Sequence, residues 1–247
     1  MVKMNKYNSL FYLAIAWQIV AMYLQLDTLP TPIVVVESMY FHIVEDELLY
    51  HLGITLYRVF LAFSIAMIIG IFFGILMGRY QKIDDSLDSL LILGLNLPAL
   101  ITIILCYIWF GLTDFSAILA VVINKVPTVI VAIREGCKAV NYKLLEISKV
   151  YKLSKYDTFT KIYLPQVYPY IMVSARSGLS LIWKIVLVVE LLGRSSGMGF
   201  QISMFFQFFD ITSILAYSFS FIVVILFIEN FMLQPLEKKL NSWREDA

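Results

Sequence analysis

Long runs of apolar residues dominate this chain and decide what kind of structure it can form. The hydrocarbon core of a bilayer is about 30 Å thick, which a helix of about 20 residues crosses. Helices satisfy their own backbone groups in lipid, so such runs predict spanning helices. Six segments qualify, at about residues 9–25, 54–78, 91–112, 116–134, 171–191 and 211–233. We therefore predict an all-α membrane protein with six transmembrane helices, forming a single transmembrane domain over residues 1–247.

The composition supports a membrane location and argues against several other classes. Hydrophobic residues make up 60% of the chain and charged residues 15%, whereas soluble domains contain about 45–50% apolar residues. The formal net charge of +1 gives no basis for a nucleic-acid partner. Cys106 and Cys137 form no CxxC motif, and His42 and His51 stand apart from acidic or thiol clusters. We therefore predict no metal site.

The distribution of Lys and Arg predicts the orientation. With the N-terminus inside, fourteen basic residues fall on the cytoplasmic side and only Arg194 falls outside, so the positive-inside rule places both termini in the cytoplasm. The first apolar run follows Lys3 and Lys6 but lacks a small-residue cleavage site, which favours a retained helix over a signal peptide. The external segment 25–53 mixes apolar and acidic residues, a pattern typical of a helix along the outer interface.

The cytoplasmic segment 141–165 interrupts the apolar pattern with lysines. Apolar residues over 141–152 recur at a helical period, which predicts a short amphipathic helix. Ser154 is a candidate N-cap for a second helix, which Pro165 is predicted to end because proline removes a backbone donor. The two helices would form a surface that another protein can bind. On composition alone, a basic loop lying on anionic membrane lipid is the alternative.

Within this segment, Glu146, Ile162, Leu164 and Pro165 stand at the spacing of the EAA signature of importer-type ABC permeases. Ile147 and Ser148 replace its two alanines, and Lys152 replaces its glycine. The rest of the chain, from about residue 29 to 243, resembles the nitrate, sulfonate, taurine and bicarbonate branch of this family. The motifs that carry this resemblance are LPTP at 29–32, TLYR at 55–58, LPA at 97–99, WFG at 109–111, ARSGLSLIW at 175–183, VVEL at 188–191, SGMG at 196–199 and Trp243.

The resemblance implies a type I ABC importer permease fold in a bacterial or archaeal plasma membrane. The segment 141–165 would then be the coupling helix that fits a cleft on a cytoplasmic ATPase. The implied coupling residues are Glu146, Ile147, Ser148, Lys152, Ile162, Leu164 and Pro165. The family further implies two ATP-binding subunits, an external solute-binding protein and a second permease copy in a homodimer. Because the sequence lacks a phosphate-binding loop, we predict no catalytic residue and no cofactor on this chain, with ATP and Mg²⁺ bound by the partner.

Charged residues inside the predicted spans are functional candidates, because each costs at least about 2.5–3.5 kcal/mol at the bilayer centre. The candidate pathway residues are Arg58, Lys125, Arg176, Ser180, Trp183, Lys184 and Glu190. Arg58 lies near a helix end, where snorkelling to the interface is an equal alternative. On the fifth helix, an arc of about 140° contains Arg176, Ser177, Ser180, Trp183, Lys184 and Glu190. This polar face would point at the bundle interior, a dimer partner or a water-filled path, and a structural network between helices is the alternative.

The three candidate cations would give the pathway a positive potential suited to a small anion. The resemblance independently suggests sulfonate, nitrate, taurine or bicarbonate as cargo, with a neutral or aromatic vitamin precursor as the alternative within the family. An ATP-independent secondary carrier is the rival from another class, although we find no inverted repeat. A membrane enzyme is a third option, which would need clustered acid, base or nucleophile residues.

Overall fold

The structure is a computed structural model that describes residues 8–26 and 28–235. The predictions that involve Lys3, Lys6 and Trp243 lie outside these residues. Within the described ranges every regular element is helical, which confirms the predicted all-α class. The helices are α1 (Asn8–Leu24), α2 (Pro32–Val44), α3 (Leu48–Arg79), α4 (Gln81–Asn96), α5 (Ala99–Phe110), α6 (Asp114–Lys138), α7 (Tyr142–Val150), α8 (Lys155–Asp157), α9 (Leu164–Gly193), α10 (Met198–Gln207) and α11 (Ile211–Ile228). Two π-helical turns, Thr158–Tyr163 and Glu229–Leu233, follow α8 and α11.

Four helices are long and apolar enough to cross a membrane. They are α3, α6, the continuous helix Lys155–Gly193 and the helix Ile211–Phe231. They confirm the second, fourth, fifth and sixth predicted segments as long apolar helices. α1 and α2 are shorter apolar helices, and α4 with α5 makes a fifth span if the bent pair crosses as one. The total of six spans stays a prediction.

The prediction of one continuous helix at 91–112 is wrong. α4 ends at Asn96, α5 begins at Ala99, and the two helices meet at 96°. Leu97 between them is extended, with a ψ of 122°, because the ring of Pro98 disfavours the helical conformation in the residue before it. Pro98 also lacks a backbone N–H. The apolar sequence therefore continues, but the helix is interrupted between Asn96 and Ala99.

The helices form two compact units. The first holds α1, α2, the start of α3 as far as Thr55, and the chain from Glu190 to Ile228. In this unit α11 packs against both α2 and α10, and α1 contacts α2. Trp17 of α1 also stacks on Phe219 of α11, with ring centroids 5.6 Å apart.

Local signals set the start of α2, and a buried histidine fastens it to α11. The hydroxyl of Thr31 accepts a hydrogen bond from the Val34 N–H at 3.4 Å, and Pro32 stands at the first helical position, where its missing N–H is harmless. The buried ring of His42 has Nδ1 2.7 Å from Asp46 Oδ2 and Nε2 2.9 Å from Ser213 Oγ. The contact with Ser213 links the end of α2 to the first turn of α11, while Asp46 holds the other side of the ring.

In the second unit, α4 and α5 both pack against α6, and three glycines allow α3 to approach α6 closely. Gly70, Gly74 and Gly78 recur at four-residue intervals and so share one face of α3. A Cβ added at Gly74 would lie 2.6 Å from the Cβ of Ile133. The residues met by the three glycines on α6 are Val129, Ile133 and Cys137. Small residues at such intervals are the usual device for close helix packing in membranes.

Candidate functional site

The segment 141–165 folds as two helices joined by a tight turn. The helix predicted over 141–152 is α7, and the predicted cap is formed because the Ser154 hydroxyl accepts from the Asp157 N–H at 3.0 Å. Both elements are confirmed, while the coupling role stays a prediction. Lys152 in the turn has a φ of +52°, in the left-handed region that glycine adopts without a steric cost. The glycine of the ABC permease signature would therefore suit this backbone. Lys152 adopts the same left-handed conformation at a steric cost.

The prediction that Pro165 ends the second helix is wrong. α8 continues through the π-helical turn into α9, and Pro165 lies in the first turn of α9. The N–H of Leu164 bonds to the carbonyl of Phe159, five residues back. Proline usually interrupts a helix because it lacks a donor and its ring meets the carbonyl four residues earlier. The wider π-helical turn just before Pro165 changes that register, so the helix continues.

The predicted coupling residues differ in exposure. Glu146 on α7 and Lys152 in the turn are exposed. Ser148 is buried, and its hydroxyl donates to the Leu145 carbonyl at 2.6 Å. The half-buried members are Ile162, Leu164 and Pro165. The Ile147 side chain lies outside the described part of the chain. Within that part, Glu146 and Lys152 are the predicted coupling residues that present a charge at the surface.

Gln166, which sequence reasoning missed, ties the two helices together. Its side-chain oxygen accepts from the Asn141 N–H at 2.9 Å, and its side-chain nitrogen donates to the Ile162 carbonyl at 2.8 Å. One amide thus joins the residue before α7 to the second helix. The two helices are therefore joined at the start of α7 by Gln166 and at its end by the turn.

Arg58, a predicted pathway residue, has an acidic partner. Its side chain is buried, and Nε lies 2.8 Å from Asp114 Oδ1. Asp114 begins α6, where Thr113 and Ser116 form a capping box and a negative charge also suits the helix dipole. The partner stands 56 residues away in sequence, so no local pattern indicates the pair. Arg58 is thus engaged with α6.

Lys125 is the most unusual of the predicted pathway residues. It lies in the middle of α6, it is 2% exposed, and among the described residues its Nζ has no hydrogen-bond partner. Its side chain packs over Gly178 of α9. A buried ammonium without a partner is costly, so the burial of Lys125 contributes no evident stability to the fold.

The polar arc predicted on the fifth spanning helix divides into a buried and an exposed edge. Trp183 and Glu190 occupy one edge, and both are buried. The exposed members are Arg176, Ser177, Ser180 and Lys184. Arg176 Nη2 lies 3.1 Å from Glu229 Oε1. Ser180 and Lys184 therefore remain as polar groups on the outside of a long apolar helix.

The structure does not bring the three predicted cations together. Arg176 and Lys184 share the exposed edge of α9. Gly178, over which Lys125 packs, lies about 170° around the helix from the middle of the polar arc. Lys125 therefore contacts the opposite side of α9.

Glu190 accepts hydrogen bonds at the centre of a buried cluster that the sequence did not indicate. Its Oε2 lies 2.9 Å from both the Thr55 hydroxyl and the Gly199 N–H. Thr55 Oγ1 also accepts from the Met198 N–H at 2.8 Å. Gly197, with a φ of +110°, packs directly against the Glu190 carboxylate, which leaves no room for a Cβ.

His51 completes this cluster on its other side. Its Nδ1 accepts the Gly197 N–H at 2.9 Å, and its Nε2 lies 2.7 Å from the Gln201 side-chain nitrogen. The turn at 196–199 is thus fixed by Glu190 from one side and by His51 from the other. Sequence reasoning missed both of these partners.

Metal and disulfide chemistry find no support in the described residues. No group of three or more His, Cys, Asp or Glu side chains is placed there to hold a metal ion. Cys106 and Cys137 are both buried free thiols.

Comparison with known proteins places this arrangement in a family. The family model described as the binding-protein-dependent transport system inner membrane component matches residues 66–236. The chain is 32% identical to a Bacillus subtilis protein named as the aliphatic sulfonates transport permease SsuC, over 87% of this chain and 78% of that protein. It is 28% identical to the taurine transport system permease TauC of Escherichia coli, over 80% and 71%. It is 29% identical to the nitrate import permease NrtB of Synechocystis, over 77% and 72%.

Two solved structures share the fold. One is an amino acid ABC transporter crystallised with histidines, with a TM-score of 0.63 and 20% identity over 78% of this chain and 93% of that chain. The other is the MetNI methionine ABC transporter in an inward-facing conformation, with a TM-score of 0.63 and 16% identity over 75% and 92%. At these identities the likeness concerns the fold alone. Together with the family match, it shows that this chain belongs to the binding-protein-dependent transport system inner membrane components and is an ABC transporter permease of the nitrate, sulfonate and taurine branch.

Proposed function

We propose that this chain forms the membrane pathway of an ATP-driven importer for a small anion of the sulfonate, nitrate, taurine or bicarbonate type. The observation that carries the solute class is the match to relatives named for aliphatic sulfonates, taurine and nitrate. Sulfonate and nitrate are compact anions with several acceptor oxygens, and taurine carries a sulfonate group. A pathway for such solutes needs positive charge that water can reach.

The exposed edge of α9 supplies that charge. Ser180 and Lys184 are exposed on a helix long and apolar enough to span, and polar groups at such depth face protein or water rather than lipid. We assign this edge to the pathway, where its positive potential raises the local concentration of anions. Because Arg176 is paired with Glu229, Lys184 is the principal cation of the edge. Lys125, buried on the other side of α9, would act in a different conformation.

The remaining predicted pathway residues support this edge from within the fold. Arg58, Trp183 and Glu190 are buried, and Arg58 and Glu190 are engaged with Asp114 and Thr55. We assign to these three the role of holding the pathway helices in place, with no direct contact to the solute.

Energy would come from partner subunits. Two cytoplasmic ATPase subunits would bind ATP and Mg²⁺, and each would bind the segment 141–165 of one permease copy. Glu146, exposed on α7, would pair with a basic residue of the ATPase. The closing of the ATPases on ATP would then move the two segments together and open the pathway outward.

The assembly would contain a second permease copy, in a homodimer, and an external solute-binding protein that delivers the cargo. The edge of α9 that carries Ser180 and Lys184 is exposed in the single chain, and a second copy would enclose a path along it. The distribution of basic residues supports a cytoplasmic location for both termini.

Uptake by the reconstituted transporter tests the solute class. Proteoliposomes with the ATPase and binding protein would be assayed with labelled sulfonate, taurine, nitrate and bicarbonate. We expect Lys184→Met to lower anion uptake about tenfold, equivalent to about 1.4 kcal/mol of lost attraction, and Lys184→Arg to retain it. Unchanged uptake by Lys184→Met would remove Lys184 from the pathway, and uptake of none of the four solutes would refute the solute class.

A further inference from the structure

The second unit contains a cavity beside the segment 141–165 to which no ligand has been assigned above. It has a volume of about 680 Å³ and lies between α7, the turn after it, and the ends of α3 and α6. Sites for small organic ligands typically measure about 300–1,000 Å³, so the cavity is large enough for one. Its wall is mainly apolar and includes Val140, Leu145, Leu153 and Phe159.

Two cations stand at the cavity. Arg79 is the last residue of α3 and Lys155 the first residue of α8, and both side chains line the cavity and are exposed. Among the described residues neither has a carboxylate within ion-pair distance, and none of the residues that line the cavity is acidic. Arg79 lies over the Tyr80 ring, 5.7 Å from its centroid. The site thus combines an apolar wall with two positive charges that have no carboxylate partner among the described residues.

The position of the cavity indicates which kind of ligand can reach it. Gly78 and Cys137 line it one residue before the ends of two spanning helices, α3 and α6. With 32 and 25 residues, these helices exceed the roughly 20 residues that cross the hydrocarbon, so their ends reach the headgroup region. Lys and Arg at this depth typically bind anionic lipid headgroups, while their long stems cover apolar surface. A free phosphate ion would satisfy the cations but leave the apolar wall unfilled.

The structure assigns this cavity to one anionic phospholipid, with its phosphate between Arg79 and Lys155 and one acyl chain against Leu145 and Phe159. The bound lipid would support α7 from the side that faces the membrane. This site is independent of the cargo, since none of its residues lies on the exposed edge of α9.

Native mass spectrometry of the purified full chain tests the site. The protein would be extracted from vesicles of phosphatidylglycerol and phosphatidylcholine, and the lipid that stays bound would be counted. We expect retention of one phosphatidylglycerol. Arg79→Gln with Lys155→Gln should weaken this retention about 30-fold, because each cation near an anionic surface adds about 1 kcal/mol. Leu145→Trp, which fills the cavity, should abolish it without any change of charge.

Control variants and a competition with inorganic phosphate distinguish the possible outcomes. Lys161→Gln removes an exposed lysine that pairs with Asp157 at 2.7 Å and does not line the cavity, so it should retain the lipid. The conservative change Lys155→Arg should also retain it. Inorganic phosphate should not displace the lipid, because it lacks an acyl chain. Equal retention by all variants, equal retention of phosphatidylcholine, or no retained lipid in the wild type would overturn the assignment.

Discussion

Lys125 of α6 lies directly over Gly178 of α9, so that a Cβ at position 178 would stand 2.8 Å from the Lys125 Cε. The glycine thus makes the space that the buried Lys125 side chain occupies. Since its Nζ has no hydrogen-bond partner among the described residues, burial of this amine works against the stability of this conformation. Such an arrangement is understandable if Lys125 serves the anion in another state of the transport cycle.

Replacement of Lys125 by methionine should therefore separate stability from transport. Lys125→Met keeps an unbranched side chain of similar length and removes a buried amine without a partner, which costs about 1–3 kcal/mol. We therefore expect a gain of about 2 kcal/mol in unfolding free energy together with reduced anion uptake. Unfolding in detergent and uptake in proteoliposomes measure the two effects. A less stable variant with full uptake would identify Lys125 as a structural residue.

The glycines of α3 give a second prediction. Gly74→Ala would place a Cβ 2.6 Å from Ile133 Cβ and 3.1 Å from the Ile130 carbonyl oxygen, and overpacking of this kind costs about 1–3 kcal/mol. Gly53 in the same helix has no atom within 4 Å of an added Cβ, so Gly53→Ala is the matched control and should be neutral or slightly stabilising. Equal unfolding free energies for the two variants would contradict the close approach of α3 and α6.

The turn after α7 carries strain that can be relieved. A left-handed conformation costs a residue other than glycine about 1 kcal/mol, and Lys152 has a φ of +52°. We expect Lys152→Gly to raise the unfolding free energy by about 1 kcal/mol, and Lys152→Ala, which keeps a Cβ, to give no such gain. Thermal unfolding of the three proteins decides this. A loss of stability in Lys152→Gly would show that the lysine side chain matters more than the backbone.

Asp46 should make the contact between α2 and α11 sensitive to acid. Partial burial opposes its ionisation, but hydrogen bonds from the Glu47 backbone and from His42 outweigh this effect and hold the pKa of Asp46 below its ordinary value of 3.8. A lowered folded-state pKa stabilises the fold above pH 3.8, and this stability is lost as the pH falls through the folded value.

Because Asp46 is 36% exposed at its side chain, screening limits the loss to at most about 1 kcal/mol. Unfolding measured between pH 6 and about pH 2 should show an acid-sensitive loss that Asp46→Asn removes. Glu45→Gln, at the exposed neighbouring position, should keep it. An identical acid response in Asp46→Asn would assign the loss to other groups.

Local signals predicted the elements that depend on local physics. The amphipathic period of α7 and the Ser154 cap were both readable, since their causes lie within a few residues. Proline was a less reliable signal. Pro98 breaks a helix, whereas Pro165 lies within one. A π-helical turn with a changed hydrogen-bond register precedes Pro165, whereas the residue before Pro98, Leu97, is extended.

The candidate site was less predictable because its partners are distant in sequence. The polar arc of α9 could be read from helical spacing, but which edge is buried depends on neighbouring helices. The partners of Arg58 and Glu190 are Asp114 and Thr55, 56 and 135 residues away. The glycines of α3 did carry a signal, a four-residue repeat, which an inspection for close helix packing would have found.

The central claim is that this chain moves solute only when a partner ATPase moves the segment 141–165. Anion uptake into proteoliposomes, measured together with ATP hydrolysis, tests it most directly. We expect ATP-dependent uptake when the chain is reconstituted with its copurifying ATPase, and in Glu146→Lys hydrolysis that continues while uptake falls at least about tenfold. Uphill accumulation by vesicles that contain this chain alone, or uptake unchanged by Glu146→Lys, would contradict the claim.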